Sequence, residues 1–128
     1  MQQMNKDIMI FICGVHSLFF AIFHIAFWKF FKWKTELKEI NLANRAIMQI
    51  LNLCLIYFFL FVAFISFFFT KELYASNLGK VFLCGISLFW LLRAIEQFIF
   101  LSVNKLFIHV LTVLFVAGFI IFLLPVIL

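Results

Sequence analysis

The sequence predicts an all-α integral membrane protein, an antiparallel up-down-up-down bundle of four transmembrane helices. Three observations carry this expectation. Apolar runs at positions 8–28, 46–70, 81–103 and 106–128 are each long enough to cross a bilayer, which takes about 20 mostly apolar residues. The 128-residue chain is 68% hydrophobic, 21% aromatic and only 12% charged, more apolar surface than a soluble domain of this size can hide. The runs are also continuous, whereas the strands of a membrane barrel alternate over about 10 residues. Backbone polar groups in hydrocarbon must be satisfied internally, so continuous spans are helices.

The first helix is expected over about 8–30. Its apolar run is too long for the hydrophobic part of a signal peptide, and no small-residue cleavage site follows it. Lys29, Lys32 and Lys34 end it as a stop-transfer flank. Along it, Gly14, Ser17, Ala21, His24 and Trp28 alternate in three- and four-residue steps. Such a seam of small and polar residues is where helices touch in lipid.

The connection at 29–45 carries Lys29, Lys32, Lys34, Lys38 and Arg45, interleaved with Phe30, Phe31 and Trp33. Basic residues with aromatic neighbours at a span end are the signature of a cytoplasmic membrane interface. The same composition is compatible with a site for anionic headgroups. The net charge of +5 therefore points to a membrane surface and not to nucleic acid.

The second helix is expected at about 46–70, with Arg45, Gln49, Asn52 and Ile56 along one seam. The third, at about 79–102, places Ile86, Trp90, Arg93, Gln97, Phe100 and Asn104 together, with Glu96 on the flank. The fourth, at about 105–127, aligns Lys105, His109, Thr112 and Val116. The second and third connections are short, which makes consecutive helices antiparallel neighbours. With no Pro/Gly/Ser-rich linker, 1–128 reads as a single four-helix domain. A weak internal repeat, Phe11-Ile-Cys-Gly against Phe82-Leu-Cys-Gly, is compatible with a duplicated hairpin.

Charge sets the expected orientation. Lys29, Lys32, Lys34, Lys38, Arg45 and Lys105 fall on one side, and Lys6, Lys71 and Lys80 on the other. The richer side is cytoplasmic by the positive-inside rule, leaving both termini outside. Heavy use of Phe, Ile and Lys points to a bacterial inner membrane.

At a rise of about 1.5 Å per residue, His24, Asn52, Arg93, Glu96 and His109 come to similar depth, about 6–14 Å from the cytoplasmic ends. A charge at such depth is costly, so it is paired, snorkels or lines a cavity. Arg93 and Glu96 are three apart on one helix and can pair. The candidate ligand-binding set is Arg93, Glu96, Gln97, His24, Asn52, His109, Gln49 and Trp90. The leading reading is a small membrane protein, not an enzyme, that binds or transports a small polar or anionic solute, or a lipid headgroup, at this layer.

Other chemistry has less support. No catalytic residues are assigned, because no intramembrane Asp accompanies the Ser and His residues and no Gly-rich phosphate loop occurs. No metal site is expected, since no Glu-x-x-His or His-Glu-x-x-His motif is present. No cofactor is expected. The alternative is a haem held axially by His24 and His109, in a membrane redox protein. A further alternative is an accessory subunit whose Phe-rich surface packs in a larger membrane complex or a homo-oligomer. Cys13, Cys54 and Cys84 lie inside spans and read as small hydrophobes.

Overall fold

A computed structural model describes all residues from Met1 to Leu128. The chain is 89% helical and has no strands. Its long helices are α1 (Gln2–Ile25), α4 (Leu42–Phe68), α6 (Asn77–Phe100) and α7 (Leu106–Ile127). All four are long and apolar enough to cross a membrane. Between them lie short elements: α2 (Phe27–Phe30), α3 (Trp33–Glu36), a 3₁₀ turn at Leu37–Glu39, and α5 (Thr70–Ala75). The chain is an all-α, multi-pass membrane protein. Exposed Phe11, Phe19, Phe61, Phe64 and Phe98 are at home there, because the surrounding solvent is itself hydrocarbon.

The helix ends differ from the ends of the apolar runs. Helix α1 begins at Gln2 and stops at Ile25, and α4 begins at Leu42. Gln and Lys cost a helix little, so hydrogen bonding carries the start of α1 past the boundary that hydropathy marks, whereas its end falls short of the apolar run.

The residues group into two compact units, one of 1–13 with 66–128 and one of 14–65. In the first unit, α6 and α7 form a hairpin. The Ser87 hydroxyl donates to the Phe119 carbonyl at 2.8 Å, and Gln97 Nε2 donates to the Ile108 carbonyl at 3.4 Å. Between them Trp90 stacks on Phe115, with ring centroids 5.7 Å apart. Partners advance along α6 as they retreat along α7, which is antiparallel packing. The buried face of α7 is Phe115, Gly118, Phe122 and Pro125. This corrects the expected seam, because His109 and Val116 are exposed and Thr112 is only part-buried. Helix α7 is apolar all round, so periodicity does not mark a face on it.

Two local devices complete this unit. Pro125 has no N–H, so it leaves the Ile121 carbonyl without its usual helical donor. The thiol of fully buried Cys13 donates to that carbonyl at 3.4 Å. Gly79, in the first turn of α6, lies where a Cβ would run into the Glu72 carbonyl and the Leu73 backbone. Only glycine permits α5 to fold back so closely. Ser76 caps α6 by accepting from Gly79 N–H at 2.9 Å, satisfying one of the helix's orphan donors.

In the second unit the first three positions of the expected seam on α1, Gly14, Ser17 and Ala21, are buried and His24 and Trp28 are part-buried, while Val15, Leu18 and Ile22 are exposed. Phe20 packs on Phe59 at 5.9 Å, and the His24 ring lies 5.1 Å from Phe59 and 4.4 Å from Phe27. Aromatic rings therefore carry the packing of this part of α1 against α4.

Candidate functional site

Within the second unit the polar residues on α1 and α4 converge on the start of the first connection. Helix α1 stops at Ile25, and its last carbonyls have no intrahelical donor. Asn52, buried to 3% exposure, closes one of them by donating from Nδ2 to the His24 carbonyl at 2.9 Å. His24 Nδ1 lies 2.8 Å from the Phe20 carbonyl. Gln49 Nε2 donates to the Arg45 carbonyl at 3.2 Å, while its Oε1 accepts from Trp28 Nε1 at 3.4 Å. His24, Gln49 and Asn52 thus anchor the point where the chain leaves α1, and Gln49 sets the position of Trp28.

Trp28 is one wall of a cavity of about 500 Å³, whose other lining residues are Lys29, Lys32, Lys34 and Thr35. The floor of the connection is Trp33, buried to 8% exposure and meeting Trp28 edge-on at 5.1 Å and Phe27 at 5.8 Å. Lys32 takes a left-handed backbone, φ 53° and ψ 46°. A non-glycine residue held there costs about 1–3 kcal/mol. That turn separates α2 from α3, so Lys29 and Lys34 flank one cavity from two helices. Thr35 Oγ1 donates to the Lys32 carbonyl at 3.0 Å and ties the turn. None of the three lysines has an ion-pair partner, because the chain's one salt bridge is elsewhere. Lys29, Lys32 and Lys34 thus line one cavity together with Trp28 and Thr35. In the sequence these lysines read as an interfacial flank compatible with anionic headgroups, with nothing to show that they share a cavity. Their convergence depends on the left-handed turn at Lys32, which has no signal in composition.

The remaining predicted residues lie in the first unit. Arg93 and Glu96 pair at 3.2 Å and are 36% and 50% exposed, so the pair is not sealed between α6 and α7. The Arg93 guanidinium also sits 4.7 Å over the Phe115 ring, a cation–π contact. Gln97 and His109 line one cleft of about 240 Å³ with Asn104 and Thr112. One polar atom of each bonds within the hairpin. His109 Nε2 is 2.8 Å from Asn104 Oδ1, and Thr112 and Gln97 both donate to the Ile108 carbonyl, at 3.0 and 3.4 Å. Trp90 is buried against Phe115. In this unit Arg93 with Glu96 and Gln97 with His109 are brought together as two separate groups. No group of three or more His, Cys, Asp or Glu side chains is arranged to hold a metal ion.

Four apolar helices with polar residues collected at particular points define the class as a multi-pass membrane protein. Comparison of the chain with known protein families, curated proteins and solved structures found no match.

Proposed function

We propose that this small multi-pass membrane protein binds an anionic, phosphate-like group, carried by a lipid headgroup or a small solute, in the basic cavity of its first connection. One observation carries the reading: Lys29, Lys32 and Lys34 line a cavity of about 500 Å³ with Trp28 and Thr35, and no carboxylate neutralises them. In the α6–α7 hairpin, by contrast, Arg93 is already answered by Glu96 and His109 by Asn104. His24, Gln49 and Asn52 support the cavity from beneath by holding Trp28 and the end of α1. The distribution of basic residues supports a cytoplasmic position for this connection with both termini outside. The composition supports a bacterial inner membrane.

Each lysine near an anionic membrane surface contributes about 1 kcal/mol, so three contribute about 3 kcal/mol, or about 100-fold in affinity. The test titrates the purified protein in neutral detergent with short-chain phosphatidylglycerol, phosphatidylcholine or inorganic phosphate, following Trp fluorescence. Phosphatidylglycerol is expected to bind in preference to phosphatidylcholine, more weakly at high salt. Replacing Lys29, Lys32 and Lys34 together by Gln should remove about 100-fold of that preference. Competition by inorganic phosphate would point to a soluble anion as the natural guest. Equal binding of both lipids, unaltered in the triple variant and without effect of phosphate, would overturn the proposal.

A further inference from the structure

A second cavity, of about 260 Å³, lies within the first unit and is lined by Asp7, Phe11, Ser66, Phe67, Thr70 and Lys71. Asp7 is the only aspartate in the chain. Its Oδ1 is buried and accepts no hydrogen bond. Lys71 lines the same cavity, yet the two make no ion pair. A carboxylate with an unsatisfied buried oxygen is costly unless a donor reaches it. Here the opposite charge lines the same cavity without reaching ion-pair distance. Neighbouring groups complete the pattern. The Phe11 and Phe67 rings are 5.5 Å apart, and aromatic faces attract cations. Thr70 Oγ1 spends its proton on the Ser66 carbonyl at 2.8 Å, so its lone pairs remain to accept.

We infer that this cavity is a binding site for a zwitterion with a primary ammonium and an anionic group a few bonds apart, the chemistry of a phosphoethanolamine. The ammonium sits on Asp7 and the Thr70 oxygen, against the Phe11 and Phe67 rings, and the anion faces Lys71. A purely anionic guest leaves Asp7 unanswered, and a purely cationic one meets Lys71. A trimethylated ammonium has no N–H to give to Asp7, so it binds more weakly despite its equal charge. The site shares no residue with the basic cavity of the first connection and stands whether or not that reading does.

The experiment is native mass spectrometry of the full chain released from detergent in the presence of equal phosphatidylethanolamine, phosphatidylcholine and phosphatidylglycerol. Soluble O-phosphoethanolamine is added as competitor in a second series. Phosphatidylethanolamine should be retained about tenfold over phosphatidylcholine, the scale of one charge-assisted hydrogen bond. Asp7→Asn should abolish that preference, Asp7→Glu should restore part of it, and Lys71→Gln should weaken both lipids. Helicity and thermal unfolding of the Asp7→Asn variant in detergent serve as the folding control and should match the parent protein. Displacement by O-phosphoethanolamine assigns the site to a soluble zwitterion, and retention of the lipid against it assigns the site to the headgroup. Equal retention of the ethanolamine and choline lipids with no competitor binding, or a preference untouched by Asp7→Asn, overturns the proposal.

Discussion

Cys13 and Pro125 should be energetically coupled, although they are far apart in sequence and neither carries a charge. Pro125 withholds the N–H that would meet the Ile121 carbonyl, and Cys13 supplies a thiol donor to that carbonyl at 3.4 Å. A protein hydrogen bond contributes about 0.5–1.5 kcal/mol, interhelical ones in membrane proteins average about 0.6 kcal/mol, and a thiol is a weak donor. Cys13→Ala should therefore cost about 0.5–1 kcal/mol for the lost bond, together with a small packing loss at a fully buried site. Pro125→Ala restores the backbone donor, so the same Cys13→Ala change in that background should cost only the packing part. The four proteins of this double-mutant cycle would be compared by reversible unfolding in mixed micelles, with helicity as the signal. A coupling of about 0.5 kcal/mol is resolvable if the unfolding slopes agree. Strictly additive effects would refute the argument, because they would mean that Ile121 does not depend on Cys13 for its donor.

Two further predictions concern packing and charge. Gly79→Ala should destabilise the protein by about 1–3 kcal/mol, the usual range for overpacking, because the obstructing atoms are the backbone of α5. Gly85→Ala, with nothing within 4 Å of the added carbon, should stabilise α6 by about 0.5–1 kcal/mol; thermal unfolding in detergent separates the two, and equal shifts would sink the close-approach argument. For the pair on α6, Arg93→Met and Glu96→Leu should each reduce stability more than the two together, since each single change strands a charge. A double variant less stable than either single one would show that the side chains serve contacts beyond each other.

The residues of this chain differ in how much they reveal alone. Membrane spans are legible because the solvent imposes a one-dimensional condition, about 20 apolar residues in a row with internally bonded backbone. All four long helices meet it. The inner face of α1 is legible too, because Gly14, Ser17 and Ala21 stand out in size and polarity against the Phe, Leu and Ile around them. Polar residues stand out within the spans as groups that need a partner, but which partner each one takes is not readable in the sequence. Gln49 and Asn52 turn to the loose end of α1, and Arg93 turns to Glu96 and Phe115.

What the sequence determined by itself is the solvent, the helices and the side chains that cannot face lipid unpaired. Tertiary structure decided which groups meet. On α7 every face is apolar, so only packing against α6 selects Phe115, Gly118, Phe122 and Pro125 for burial. In the first connection, the basic cavity exists because Lys32 adopts a left-handed backbone and sets α2 and α3 on either side of it. Asp7 and Lys71 are brought to one cavity across most of the span between α1 and α5 in sequence. The physical reason is the same in each case: hydrophobic and hydrogen-bonding demands are local properties of a residue, whereas convergence of charges depends on where the chain turns.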